Sequence, residues 1–291
     1  MISEKEILYD SNQQLTLDLY RPSAETAPAD KKNNQPLPEI DNHTTSPAAA
    51  TAGSAPVKAT ILLLHGGGWF RGDKQKEAFL AEKLTAAGFL VAAPNYRLAP
   101  AAIYPAAMTD ALTAFDWLKN SEKIPHDRPI FALGASAGGN LAIELALQRG
   151  IPAASWSGII DMVDWVRQHP VVAAVMNQEQ HFDEHESRQI DQDGQNESFY
   201  KWFILNYVKN DLTLLQEATP LTRVTEKSGP MFLANSLHEL VPISGVLLLQ
   251  KALAEVDVVS EVKLIAGTVH GEGYWETALP ATLAFFAEYL S

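Results

Sequence analysis

The chain has no cysteine among its 291 residues, which excludes disulfides, thiolate metal sites and a cysteine nucleophile. Basic residues are also scarce. Lys and Arg number 22 against 35 Asp and Glu, a formal net charge of −13. Nucleic acid and anionic membrane would repel such a chain, so neither is expected as a partner. No apolar run reaches the ~18 residues of a membrane span, and Met1–Glu6 lacks the basic and apolar regions of a secretory signal. A cytoplasmic location is the resulting expectation. What is present is ordinary globular material: 46% hydrophobic and 20% charged residues, enough apolar mass for one large core.

The segments Lys5–Tyr9 and Leu15–Tyr20 alternate in polarity and read as antiparallel strands. Residues 23–57 are rich in Pro, Ala, Asn, Asp and Thr. They are expected to form a long flexible loop, because strands resume on both sides. From Thr60 strand and helix alternate. Ile61–Leu64, Phe89–Ala93, Ile130–Leu133, Met231–Ala234 and Val262–Ile265 are short apolar runs typical of strands buried on both faces. Between and after them, helices are expected from Asp73 to Gly88, from Pro105 to Leu118, and over Asn140–Arg149, Ile243–Leu253 and Trp275–Leu290. The pattern predicts an α/β class: a mostly parallel, doubly wound sheet with helices on both faces, in a single domain over 1–291. Residues 161–215 are longer than a sheet connection needs. Their polar run and aromatic cluster suit a cap over the site, with an ordinary surface insertion as the alternative. Trp165, Phe199, Tyr200 and Trp202 could line an acyl or alcohol pocket, or pack the cap onto the sheet.

The strongest chemical signal is Gly134-Ala135-Ser136-Ala137-Gly138, set between a strand and a helix. A nucleophile on so sharp a turn leaves no room for side chains two residues away, which accounts for both glycines. The second signal is His65-Gly66-Gly67-Gly68-Trp69, directly after the strand Ile61–Leu64. Backbone N–H groups of Gly67 and Gly68, with that of Ala137, would form an oxyanion hole. A phosphate loop would need a Lys-Ser/Thr pair that does not follow. His65 reads as a structural hydrogen-bonder rather than a base.

These motifs, with Val269-His270-Gly271 near the end, resemble the esterase branch of the α/β-hydrolase superfamily, the hormone-sensitive-lipase-like and other HGGG-type carboxylesterases. The resemblance implies an α/β-hydrolase fold with a cap-like insertion. It also implies that Ser136 is the nucleophile and His270 the base that takes its proton. The family usually places an aspartate a few residues before a Val-Pro. Here His238 stands at that position and Glu239 follows it, ahead of Val241-Pro242. Glu239 is taken as the acid, with Asp161, which follows the strand-like Ala154–Ile160, as the alternative. The implied function is a serine carboxylesterase that hydrolyses short-chain acyl esters through an acyl-enzyme, without metal or organic cofactor. Alternatives are a deacetylase or aryl formamidase of the same fold, or an inactive hydrolase-fold binding protein. The expected partner is a small-molecule ester; homo-oligomer formation is left open.

Other motifs carry less. His181-Phe182-Asp183-Glu184-His185 matches a zinc-protease spelling but lacks a helix face to hold ligands. Asp191-Gln192-Asp193-Gly194 is a calcium-loop start with the wrong spacing to a closing glutamate. The sequons at Asn42 and Asn196 have no secretory context. Tyr274 and Trp275 read as packing residues.

Overall fold

The structure is a computed structural model that describes residues 1–23, 56–177 and 182–290. The expected loop over 23–57 therefore lies, apart from its ends, outside the described residues, as does His181.

Two antiparallel strands, β1 (Ile2–Asp10) and β2 (Leu15–Arg21), open the chain. There follow β3 (Thr60–Leu64), α1 (Ala78–Ala86), β4 (Leu90–Pro94), α2 (Ala106–Asn120), β5 (Ile130–Ala135), α3 (Ala137–Arg149) and β6 (Ala153–Trp156). Helices α4 (Val163–Gln168), α5 (Glu197–Tyr207) and α6 (Leu212–Ala218) come next. The chain closes with β7 (Met231–Ser236), α7 (Ser244–Ala254), β8 (Ser260–Ile265) and α8 (Trp275–Ala287). The eight strands form one sheet in the order β1-β2-β4-β3-β5-β6-β7-β8, parallel from β4 to β8.

The apolar runs are buried on both faces, and their alternation shows it. Leu62 and Leu64 of β3 join one core cluster, with α2, α3 and α7; Ile61 and Leu63 join the other, with α1 and α8. Two apolar faces drive two helical layers onto the sheet, the only way each strand residue can leave water.

The boundaries differ from the sequence reading in two places that matter. Helix α3 begins at Ala137, immediately after Ser136, rather than at Asn140. The strand expected over Ala154–Ile160 stops at Trp156, because Ser157 takes a left-handed φ of 52°, a conformation that cannot continue a strand.

The stretch 161–215 holds α4, α5 and two 3₁₀ turns, Phe182–Glu184 and Ser187–Gln189. Its aromatic residues pack on the glycine loop. Trp69 stacks on Tyr207 at 4.0 Å between ring centres, and Phe70 meets Trp202 edge-on at 4.8 Å. Among the described residues no helix is long and apolar enough to cross a membrane.

Candidate active site

The parallel strands deliver the chemical side chains at their carboxyl ends, where an α/β sheet leaves an open crevice. After β3 comes the His65–Trp69 loop; after β5, Ser136; after β7, Glu239; after β8, His270.

Ser136 sits at φ 56° and ψ −120°, a strained conformation for a residue with a Cβ. Its neighbours hold it there: Ser136 N–H donates to Trp156 O at 2.8 Å, and Asn140 N–H donates to Ser136 O at 3.0 Å. A Cβ on Gly134 would run into the Gly138 carbonyl, and one on Gly138 into the Leu64 carbonyl. Since both obstacles are backbone, neither can swing aside. Gly138→Ala is therefore expected to lower stability by about 3 kcal/mol or to abolish folding, read as the thermal midpoint.

The glycine loop is anchored from below. The His65 imidazole is fully buried, stacks on Tyr96 at 4.0 Å, and lies 2.8 Å through Nδ1 from Gly66 O. Burial pulls its pKa down to about 4, so the ring is neutral and structural. The Gly66 N–H lies near the Glu77 carboxyl and favours its charged form. Ala137 is the first residue of α3, and its N–H has no partner inside the helix.

Glu239 Oε2 accepts a hydrogen bond from His270 Nδ1. With a carboxylate as acceptor, Nδ1 must carry the proton, and in the neutral ring Nε2 is left with its lone pair. Nε2 is buried without a partner among the described residues. Burial works to lower the His270 pKa, but the adjacent Glu239 carboxylate overrides it and the imidazole stands raised. Asp161 is engaged elsewhere, accepting from Ser244 Oγ at 3.2 Å and Trp165 N–H at 3.3 Å.

The second carboxylate oxygen, Glu239 Oε1, accepts from Ser236 N–H at 2.6 Å and from Ser157 Oγ at 2.9 Å. Ser157 Oγ in turn accepts from Gly271 N–H at 2.8 Å and lies 2.7 Å from the Tyr274 hydroxyl. The left-handed Ser157 is thus what aims a hydroxyl at the carboxylate. Tyr274, read from sequence as packing, is also part of this network.

Ser136, His270, Gly66 and Gly67 line one cavity with Lys76, Phe182, Ser187, Asp191 and Glu272. Gly68 and Ala137 are not among its lining residues; the α-carbon of Gly68 faces the Phe70 ring and Phe203. Trp165, Phe199, Tyr200 and Trp202 do not line it either, while Phe182 does. Sequence reasoning missed the segment set aside as a poor calcium loop. Gln192 clamps the His270 backbone, its Oε1 accepting from His270 N–H and its Nε2 donating to His270 O, both at 2.9 Å. Asp191 accepts both hydrogen bonds from Arg71 Nη2 at 2.8 Å. No motif signals such clamps, because each joins residues far apart in the chain. Among the described residues no group of three His, Asp or Glu could hold a metal ion.

Fold and site together define an α/β protein with a serine on a strained strand-to-helix turn, beside an imidazole backed by a carboxylate. The chain belongs to the alpha/beta hydrolase fold family, whose sequence pattern matches residues 61–273. It is 36% identical over 104 residues to versiconal hemiacetal acetate esterase of Aspergillus parasiticus, which covers 35% of this chain and 31% of that one. Identity to the ethyl acetate hydrolase of Pseudomonas putida is 42% over 93 residues, 31% of this chain and 29% of that one. The matched stretch thus spans about a third of the length of these curated relatives. A solved esterase from Pyrobaculum calidifontis has the same fold, with a TM-score of 0.69 at 17% identity over 100% of this chain and 86% of that one.

Proposed function

We propose that this protein is a serine carboxylesterase acting on short-chain acyl esters, with Ser136, His270 and Glu239 as its triad. The observation that carries the reading is the unpartnered Nε2 of a Glu239-backed His270, lining the same cavity as Ser136. In this scheme Nε2 takes the Ser136 proton as Oγ attacks the ester carbonyl. The N–H groups of Gly67, Gly68 and Ala137 hold the oxyanion. His270 then protonates the departing alcohol. Water repeats the sequence on the acyl-enzyme, releasing the acid.

Short acyl groups are supported by the two curated relatives described above, which are named for acetate esters. Residues 161–215 form the cap in this reading, supplying Phe182, Ser187, Ile190 and Asp191 to the cavity wall. A cytoplasmic location belongs to the same proposal, supported by the cysteine-free composition.

The test is pre-steady-state hydrolysis of p-nitrophenyl acetate, butyrate and octanoate. A burst matching the enzyme concentration is expected with acetate, and a kcat/KM for octanoate lower by roughly tenfold or more. Absence of both burst and turnover on every ester would sink the esterase reading.

A further inference from the structure

Two glutamates that this chemistry does not use are buried together beneath the site. Glu77 ends the 3₁₀ turn Lys74–Glu77 and is 1% exposed; Glu272, two residues beyond His270, is 3% exposed and lines the cavity. Among the described residues neither forms an ion pair. Their carboxyl groups lie within interaction range of each other. Glu77 Oε2 and Glu272 Oε1 are buried and receive no N–H or O–H from any other described residue. Glu77 Oε1 accepts from the Ser187 hydroxyl at 2.8 Å, and the Gly66 N–H lies near enough to favour its charge.

Two carboxyl groups can lie so only if a proton stands between them, because like charges in a water-excluded site repel without relief. Donors from Ser187 and Gly66 favour the charged form of Glu77. Glu272 has no such donor among the described residues, so the proton resides on Glu272 and is given to Glu77. Burial pushes both groups above the usual carboxyl range, and the charge on Glu77 pushes Glu272 well above it. The surrounding charges keep the same sense. Asp73 and Glu186 add negative potential, Arg188 offsets part of it, Tyr96 feels the Glu77 charge, and Lys76, Asp191 and His270 line the cavity with Glu272.

The pair joins the three segments that make the site. Glu77 accepts from Ser187 of the 161–215 stretch and lies against the oxyanion loop at Gly66, while Glu272 belongs to the 3₁₀ turn Gly271–Tyr274 that leaves His270. We propose that Glu77 and Glu272 act as a positioning pair, sharing one proton so that their bond ties the oxyanion loop to the His270 loop. The role in turnover rests on the esterase reading above; the shared proton does not.

Removing the proton at alkaline pH breaks the tie and separates the loops, so wild-type kcat is expected to fall on an alkaline limb. Glu272→Gln keeps an N–H donor toward Glu77 but cannot ionise. Its kcat should stay within roughly tenfold of wild type, the scale of one neutral hydrogen bond, and its alkaline limb should move to higher pH or vanish. Stability gives a second readout. The folded chain holds a proton that the unfolded chain releases in the ordinary carboxyl range, so stability falls as pH rises from that range to the raised folded value. Across that window the wild-type folding constant should lose about tenfold more per pH unit than that of Glu272→Gln. Infrared difference spectra supply the third, an acid carbonyl band that persists above the ordinary carboxyl range and is missing in Glu272→Gln.

If the band is absent from the wild type, or if the alkaline limbs and stability slopes of the two proteins coincide, the pair is overturned. If band and slope are as expected but the wild type hydrolyses no ester, the shared proton stands and the esterase reading falls. Because Glu272→Gln preserves size and hydrogen bonding, a fold defect in a harsher variant such as Glu272→Leu leaves these readouts intact.

Discussion

Ser136→Ala is expected to lower kcat on p-nitrophenyl acetate by roughly 10⁴–10⁶, with KM nearly unchanged. In the proposed mechanism Ser136 is the nucleophile, the one group the site could not replace. His270 and the oxyanion loop remain in place, but no acyl-enzyme can form, so the burst disappears with the turnover. The substitution removes only a hydroxyl, and the strained turn keeps its Cβ and its glycines. Thermal stability should therefore change by less than about 1 kcal/mol. Loss of activity without loss of the thermal midpoint is the decisive combination. Retention of more than about a tenth of the activity would mean that another residue attacks the ester.

The second large effect concerns the acid. Glu239→Gln is expected to cost about 10³–10⁴ in kcat, because a neutral amide can hold His270 in the wrong tautomer and cannot stabilise the imidazolium. Asp161→Asn is expected to change kcat by less than about threefold, since Asp161 is bonded to Ser244 and Trp165 rather than to the base. The pH profile separates an electrostatic role from mere packing. The base must be neutral, so kcat/KM rises with pH through the His270 pKa. Burial alone would depress that pKa and the Glu239 charge raises it; removing the charge should shift the acidic limb of the residual activity to lower pH. An unchanged limb, or a greater loss from Asp161→Asn, would transfer the acid's role away from Glu239.

His238 illustrates how far local pattern reaches. It occupies the place where the family usually carries its acid. Its backbone N–H donates to Gly267 O at 3.0 Å, while the neighbouring Glu239 is 2% exposed and bonded to His270. The longer glutamate reaches inward from one residue further along. Sequence could offer Glu239 and Asp161 as alternatives, since each follows a strand of the same sheet, but which carboxylate meets the imidazole depends on the turn after β7 and on Ser157 behind it.

Residues 191–194 point the same way. In the linear sequence they are a failed metal motif. In the fold Gln192 holds the backbone of the base and Asp191 holds Arg71. Conversely, of the aromatic set read as pocket lining or packing, Phe199 and Trp202 meet Phe70 beside the glycine loop, while Trp165 and Tyr200 pack on each other. Aromatic composition predicts burial well and the buried partner poorly, because apolar attraction has no direction.

The residues themselves were enough to specify the doubly wound sheet, the elbow at Ser136 and the glycine loop after β3. Each of these rests on constraints that act within a few residues: alternation of apolar side chains along a strand, or clashes between a Cβ and backbone one turn away. Only the folded chain decided the carboxylate partner of His270, the clamp from Gln192 and the meeting of Glu77 with Glu272. Those depend on hydrogen bonds and a shared proton, forces that fade within a few ångströms. They connect groups that approach only after the sheet has brought the ends of distant strands together.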